Sequence, residues 1–371
     1  MALDKFSALM REEWFLSLSA ATSLVFFCFG SWLMGLLSNP LWLALIFVWL
    51  FSVVLGSVFC VVRHAEHLAS RLGEPYGTLI LTLAVTAIEV ASICAMMLHG
   101  ANNSTLVRDT LFAVVMIILN GMVGLSLLLG GWRHREQQYN LQGANAYLGV
   151  IIPLAVLTLM LPNHTVTTPG PTLSSAQEVF LALMALGLYG TFLAIQTSRH
   201  RMYFTLGETA EESHEPPPGQ SRPLAAHTAL LAAYMLPVVF LAEKLAQPIE
   251  HLIVLVNAPV ALGGLIIAML VATPEAISAV RAAKANHMQR SVNISLGSVL
   301  ATIGLTVPAM LVIGHLTGKR IVLGLEHTGL VLLPLTLFVS VITFASGRTN
   351  ILQGAVHLLL FAAYVMLLFE G

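Results

Sequence analysis

Charge is what this chain most lacks. Only 9% of its 371 residues are Asp, Glu, Lys or Arg, against roughly 25% in soluble domains, which excludes an ordinary water-soluble enzyme. Lys plus Arg number 17 and Asp plus Glu 18, for a formal net charge of −1, so no basic excess is available to neutralise phosphates and no nucleic acid partner is expected. Cys28, Cys60 and Cys94 sit singly in apolar runs; they read as small buried hydrophobes, with no metal-ligand spacing and no redox pair. Asp4 and Asp109 are the only aspartates, which leaves nothing for an Asp-rich Mg²⁺–diphosphate site. A Walker-type loop is missing too, so uphill transport would have to draw on an ion gradient. The 13 histidines form no His-x-x-x-His or His-Glu-x-x-His pair of the kind that marks a metalloenzyme. No cofactor is expected.

What is there is apolar: 57% hydrophobic residues and a mean hydropathy of +0.86. A bilayer span needs about 20 apolar residues, and eleven runs qualify: 16–37, 41–62, 76–98, 106–130, 146–161, 176–196, 225–245, 252–271, 292–314, 324–344 and 351–369. The first is too long for a signal peptide and lacks a small-x-small cleavage site before Pro40. With the N-terminus in the cytoplasm and the loops alternating, only Arg108, Lys244, Lys319 and Arg320 of the 17 Lys and Arg fall outside. That bias is a strong positive-inside signal, and one span more or fewer would scramble it. It predicts a multi-pass membrane protein with its N-terminus in the cytoplasm and its C-terminus on the outer side.

The chain divides into 1–40, an N-terminal segment with the leading helix; 41–196, a first set of five helices; 197–224, a polar linker; and 225–371, a second set of five. Glu208, Glu211, Glu212 and Glu215, followed by Pro216-Pro217-Pro218-Gly219, make the linker acidic and flexible in composition. The two sets repeat. Ala65-Glu66-His67-Leu68-Ala69 follows the second run and Ala242-Glu243-Lys244-Leu245-Ala246 closes the seventh. Windows 79–92 and 265–278 then align without a gap, matching Leu79 with Leu265, Val85 with Val271, Glu89 with Glu275 and Ser92 with Ser278. Five is odd, so the second copy enters the membrane upside down. The fold class is therefore an all-α polytopic membrane protein of 11 transmembrane helices, one leading helix plus two inverted five-helix repeats, an arrangement typical of secondary transporters.

Among the charged residues, only Glu89 and Glu275 lie well inside apolar helices. A carboxylate at that depth costs several kcal/mol, so it faces a polar pathway or serves as hydrogen-bonded glue between helices. Matched positions in inverted repeats favour one midplane site. Two carboxylates there are neutralised by protons or by a metal cation, while an empty, doubly ionised site is costly. Competition for the same oxygens is the physical basis of cation/proton exchange. Carboxylate and backbone oxygens suit hard cations such as Ca²⁺, Na⁺ or K⁺. Thr273-Pro274 should break the helix before Glu275 and free carbonyls for the ion, and Thr82, Thr86 and Ser278 add hydroxyls. Asn120, Ser298 and Thr302 are candidates for the pathway or for packing. Gly121, Gly124, Gly297 and Gly304 read as close-packing positions. Glu66 and Glu243 lie at expected helix ends, where gating is cheaper than ion binding. His357, within the last run, is expected to pack or hydrogen-bond.

At these residues the sequence resembles the cation/proton exchangers of the cation/calcium exchanger superfamily, across nearly the whole chain. The likeness is most specific in Val62-Arg63-His64-Ala65-Glu66 through Arg71-Leu72-Gly73-Glu74-Pro75-Tyr76-Gly77, in Asn293-Ile294-Ser295-Leu296-Gly297-Ser298 and in Ser346-Gly347-Arg348-Thr349-Asn350. The resemblance implies a leading helix plus two inverted five-helix repeats joined by an acidic cytoplasmic segment. It implies essential glutamates at Glu89 and Glu275 and gating glutamates at Glu66 and Glu243. One departure matters. The calcium-selective branch carries Gly-Asn-Ala before each central glutamate, and here those places read Thr86-Ala87-Ile88 and Ala272-Thr273-Pro274. Two amide oxygens are missing, which extends the expected substrates to Na⁺ and K⁺.

The reading is a cation/proton antiporter embedded in the lipid bilayer, which the resemblance implies is a bacterial inner membrane with the C-terminus periplasmic, working by alternating access, with Ca²⁺, Na⁺ or K⁺ and protons as transported ions and its oligomeric state open. A cation channel is the alternative within transport, separated by the absence of proton counterflow. An intramembrane enzyme would need a nucleophile–base pair or a metal cluster in the spans, and the sequence offers neither.

Overall fold

The computed structural model describes residues 13–72, 76–99, 104–205 and 223–370. Among the described residues, eleven helices follow the order of the eleven apolar runs. They are α1 (Trp14–Gly35), α2 (Pro40–Leu72), α3 (Tyr76–His99), α4 (Leu106–His134), α5 (Leu141–Asn163), α6 (Ser175–Arg199), α7 (Leu224–Leu255), α8 (Ala261–Lys284), α9 (Met288–Thr317), α10 (His327–Thr343) and α11 (Ile351–Glu370). Nine are long and apolar enough to cross a membrane; the apolar stretches Thr82–Met97 of α3 and His327–Thr343 are shorter. The chain is an all-α polytopic membrane protein: α1 leads, α2–α6 and α7–α11 are the two five-helix repeats, and the second threads the bilayer in the opposite sense. The acidic linker glutamates, and Gly73-Glu74-Pro75 of the second motif, lie outside the described residues.

Local chemistry sets several helix ends. Asn140 caps α5, its side chain accepting from the backbone N–H groups of Gln142 and Gly143. Ser174 and Gln177 form a reciprocal capping box at the start of α6. Four helices hold a π-helical turn: Ile117–Met122 in α4, Val156–Met160 in α5, Ile195–Arg199 in α6 and Thr302–Thr306 in α9. Such turns re-aim the side chains they carry and are frequent at functional sites.

Two helices outrun their apolar stretches. The second run ends at 62, yet α2 continues to Leu72; the seventh ends at 245, yet α7 continues to Leu255 through Pro248. A hydropathy run stops at the polar turns, Arg63 to Arg71 in α2 and Gln247 to His251 in α7, although the helix continues through them; in α7 it goes on into Leu252–Leu255, the start of the eighth apolar run. In consequence Glu243 and Lys244 lie inside α7 and not at its end, and α8 begins at Ala261 and not near 252.

The helices pack as two compact units, each drawing on both halves of the chain. One comprises α1, α2, α3 and α7, with α1 and α3 each against both α2 and α7. The α2–α7 contact is stitched by buried side chains three or four residues apart: Ile46, Leu50, Val54, Val58, Val61 and Ala65 on α2, and Tyr234, Val238, Leu241, Leu245 and Ile249 on α7. That spacing is one face of each helix.

The other unit comprises α4, α5, α6 and α8–α11, and α4 is its centre, packed on α8 and α11. Glycines permit the α4–α11 approach: a Cβ on Gly124 would sit 2.9 Å from the Leu358 nitrogen, and one on Gly354 would sit 2.5 Å from the Leu128 nitrogen. Backbone cannot give way as a side chain can, so Gly354→Leu is expected to cost roughly 3 kcal/mol or more. A loss of folded protein after heating, read by size-exclusion chromatography, checks this; an unchanged profile counts against the close crossing.

The segment between α4 and α5 is clasped to the one between α10 and α11. The Thr349 N–H donates to the Gln137 carbonyl at 2.9 Å, Thr349 Oγ1 accepts from the Gln137 N–H at 3.2 Å, and Tyr139 N–H donates to the Gly347 carbonyl at 3.2 Å. Gly347 takes a positive φ of 68° to make this turn. The Ser346–Asn350 motif is thus a structural clasp.

Candidate functional site

In the first unit, Glu89 sits on α3 at 2% exposure, with Thr86 and Ser92 buried beside it. These positions, three apart, lie along one side of the helix, and α3 packs against α2 and α7. The sequence-marked glutamate is therefore enclosed by helices and does not face lipid.

In the second unit, Ser298 Oγ on α9 donates to Glu275 Oε2 on α8 at 2.5 Å. A hydroxyl on a carboxylate at that distance is a charge-assisted contact. Thr302, one turn further along α9, is buried at the start of the π-helical turn. The expected helix break before Glu275 is absent: α8 runs unbroken from Ala261 to Lys284 with Pro274 inside. A single proline inside a packed membrane helix removes one donor, here the one that would bond the Leu270 carbonyl, and neighbouring helices hold the rest straight. Thr273 Oγ1 donates back to the Met269 carbonyl at 2.5 Å, so its hydrogen serves its own helix and its lone pairs remain as acceptors.

Asn120 lies on the π-helical turn of α4, which packs against α8, α9 and α11. Its amide is held from both sides: Nδ2 donates to Thr336 Oγ1 at 2.8 Å, and Oδ1 is 3.1 Å from His357 Nδ1, whose Nε2 is 3.0 Å from Thr343 Oγ1. His357 hydrogen-bonds, as the sequence suggested. The network ties α4, α10 and α11 together. Of the glutamates expected to gate, Glu66 is exposed on α2, and Glu243 accepts from Lys244 Nζ at 3.0 Å on α7.

Three arrangements had no signal in the sequence pattern. Asn293 Nδ2 donates to the Phe204 carbonyl at 2.7 Å and Oδ1 accepts from Gln289 Nε2 at 2.8 Å, so the first residue of its motif anchors the chain leaving α6. Arg108 pairs with Asp109 and Glu326, both at 2.7 Å. Glu13 joins Arg63, His64 and Tyr234 across three helices. Among the described residues no group of three or more His, Cys, Asp and Glu stands ready to hold a metal. A cation at Glu275 would be met by one carboxylate together with hydroxyl and carbonyl oxygens, a donor set for hard ions.

A family model described as sodium/calcium exchanger protein matches residues 42–198 and 226–370. The sodium-potassium/proton antiporter ChaA of Escherichia coli is 41% identical over 321 residues, covering 85% of this chain and 86% of that one. Among solved structures, native YfkE superposes with a TM-score of 0.73 at 20% identity, over 96% of this chain and 100% of that one. The H⁺/Ca²⁺ exchanger CAX gives a TM-score of 0.67 at 13% identity, over 96% and 88%. At those identities the two structures speak to the fold alone.

Proposed function

The chain belongs to the sodium/calcium exchanger family, and from that premise we propose a cation/proton antiporter of the bacterial inner membrane that exports Ca²⁺, Na⁺ or K⁺. Protons and cations compete at Glu89 and Glu275, each exposed in turn to the two sides of the membrane. The observation that carries the reading is the contact of Glu275 with Ser298 inside two apolar helices. A serine hydroxyl both donates and accepts. With no cation bound, its O–H satisfies the carboxylate; when a cation arrives, the O–H rotates away and its oxygen joins the carboxylate in the ion's shell. A protonated Glu275 is neutral, as is the cation-bound site once charges balance, and either occupant lowers the cost of moving the site through lipid.

Set against the calcium-selective branch's Gly-Asn-Ala, Thr86 takes the glycine place and Thr273 the asparagine place, so a hydroxyl stands near each glutamate where that branch has an amide oxygen. Fewer and weaker ligands favour monovalent ions beside Ca²⁺. Thr302 and Asn120 belong to the same proposal as polar residues along the path, and Glu66 and Glu243 as groups that gate it. The excess of Lys and Arg on one side supports an N-terminus in the cytoplasm and a C-terminus in the periplasm.

Dye-reported proton efflux from everted vesicles, on adding Ca²⁺, Na⁺ or K⁺ across a pH series, tests the reading. Cation-dependent proton movement that persists with the membrane potential clamped supports an antiporter. Cation flux with no proton movement points to a channel instead.

A further inference from the structure

The buried polar cluster of the first unit has no part in the exchange just described. Glu13 lies at the start of α1, Cys60, Arg63, His64 and His67 lie on the last turns of α2, and His227 and Tyr234 lie on the first turns of α7. Glu13, His64, His227 and Tyr234 are all buried, at 6%, 1%, 6% and 0% exposure. Glu13 Oε2 accepts from Arg63 Nη2 at 2.5 Å and from Tyr234 Oη at 3.0 Å, and lies 3.5 Å from His64 Nε2. On the other side of the same ring, His64 Nδ1 is 3.1 Å from His227 Nδ1. The His67 ring lies against His227, with centroids 4.9 Å apart.

Two imidazole nitrogens facing each other at that distance hold one hydrogen between them. With both rings neutral, one donates and the other accepts. A first added proton is accommodated: one ring becomes imidazolium and still donates to its neighbour, with the Glu13 carboxylate opposite. A second is not. Both Nδ1 atoms would then carry hydrogen, donor would face donor, and two cations would meet beside Arg63. The His64–His227 contact at this end of α2 and α7 therefore survives one proton and not two.

We infer that His64, His227 and Glu13 form a second proton-binding site, separate from the transport glutamates, that clamps the start of α7 to the last turns of α2 and lets these ends part when the cytoplasm turns acidic. The inference rests on the proposed orientation, which sets all three helix ends at the cytoplasmic face. Among the described residues, Glu13 from α1 supplies a negative charge to the histidine pair, Arg63 from α2 opposes further protonation, the His67 ring lies against His227, and Tyr234 from α7 holds Glu13. Cys60, on α2, hydrogen-bonds Tyr234. From α3, packed on both helices, the one charged residue is Glu89, in its middle. The clamp borders Glu66, one residue before His67, so its release moves the end of α2 where gating is expected. An exchanger that brings protons inward gains from such a brake, because it stops when the cytoplasm is already acidic.

Everted vesicles expose the cytoplasmic face to the bath, which makes bath pH the variable. Wild-type exchange is expected to fall about tenfold between about pH 8 and about pH 5, since a buried pair beside Arg63 takes its second proton only in acid. His227→Gln and His64→Gln, which keep a neutral hydrogen-bonding group, should retain activity at about pH 5 to within about twofold of pH 8. His134→Gln, a histidine elsewhere that meets the Lys284 carbonyl, should follow the wild type. Superposable profiles for wild type and His227→Gln overturn the inference.

A second measurement does not depend on transport at all. The folded state loses a contact with the second proton, and the unfolded chain does not, so stability falls as pH drops through the histidine range. The thermal midpoint of the purified wild-type protein in detergent should be several degrees lower at about pH 5 than at pH 8, and that of His227→Gln should fall by less. A wild-type midpoint independent of pH defeats the clamp even where the variants fail to fold. If no cation drives exchange at any pH while the wild-type midpoint falls further than that of His227→Gln, the transport reading fails and the proton site stands.

Discussion

Glu275→Gln is expected to abolish exchange while the protein still folds. Glutamine has the same shape, and its amide oxygen accepts the Ser298 hydroxyl as the carboxylate does at 2.5 Å, so the packing of α8 on α9 keeps its bond. What disappears is the ability to take up and release a proton and to neutralise a cation. A buried cation without its carboxylate loses at least about 3 kcal/mol, which is two orders of magnitude or more in occupancy. Proton efflux from everted vesicles should fall to the level of vesicles without the protein, with normal membrane abundance. Glu89→Gln should behave alike, since Glu89 occupies the matching place in the other repeat and is 2% exposed. Glu275→Asp is the informative intermediate: the charge remains but is drawn back from Ser298, so partial activity with altered cation preference is expected. Full exchange by either glutamine variant would remove the carboxylates from the mechanism.

Both glutamates were legible in the sequence because lipid makes charge conspicuous. One ionisable residue in an apolar stretch of twenty stands out with no knowledge of its neighbours. The number of helices was legible for the same reason, since each span needs its own run of apolar residues. The ends of α2 and α7 were not, because Arg63 to Arg71 and Glu243 to His251 are polar turns of helix, and a hydropathy window stops where polarity begins. Nor was the fate of Pro274: a proline licenses a break, but packing decides whether one forms. Partners were the least legible. Asn120 meets Thr336 and His357, which lie 216 and 237 residues away, and Tyr234 meets Glu13 over 221. No periodicity encodes such pairs; only the packing of helices brings them together. Motif likeness could not sort function from scaffold either. Within Asn293–Ser298, Asn293 anchors the chain after α6 while Ser298 reaches Glu275.

Arg108→Met is expected to destabilise the second unit more than any other single change at its rim. Arg108 is 6% and Asp109 8% exposed, and the guanidinium Nε donates to Asp109 Oδ1 at 2.7 Å. The same side chain donates to Glu326 Oε1 at 2.7 Å and to the Gly324 carbonyl at 3.2 Å, which fastens the segment leading into α10 to the first turn of α4. Methionine fills much of the volume but leaves the Asp109 carboxylate buried, its Oδ2 still accepting from Thr105 Oγ1 at 2.8 Å and its Oδ1 without the guanidinium. Removing one partner of a buried ion pair costs about 3–5 kcal/mol, mostly the penalty of the charge left behind. Neutralising both, in Arg108→Met with Asp109→Asn, should therefore recover most of that loss. Glu326→Gln should cost under about 1 kcal/mol, because Glu326 is largely exposed and solvent screens its share of the network. Thermal midpoints of the purified variants separate these outcomes. If the double variant were no more stable than Arg108→Met, the charge of Asp109 would not be the cause. The loss would then lie with the bonds to Gly324 and Glu326, and the guanidinium would act chiefly as a tie between α4 and α10. Recovery in the double variant assigns the cost to Asp109, whose backbone and Cβ also meet α8 at Gly264, so that one ion pair supports the approach of the helix carrying Glu275.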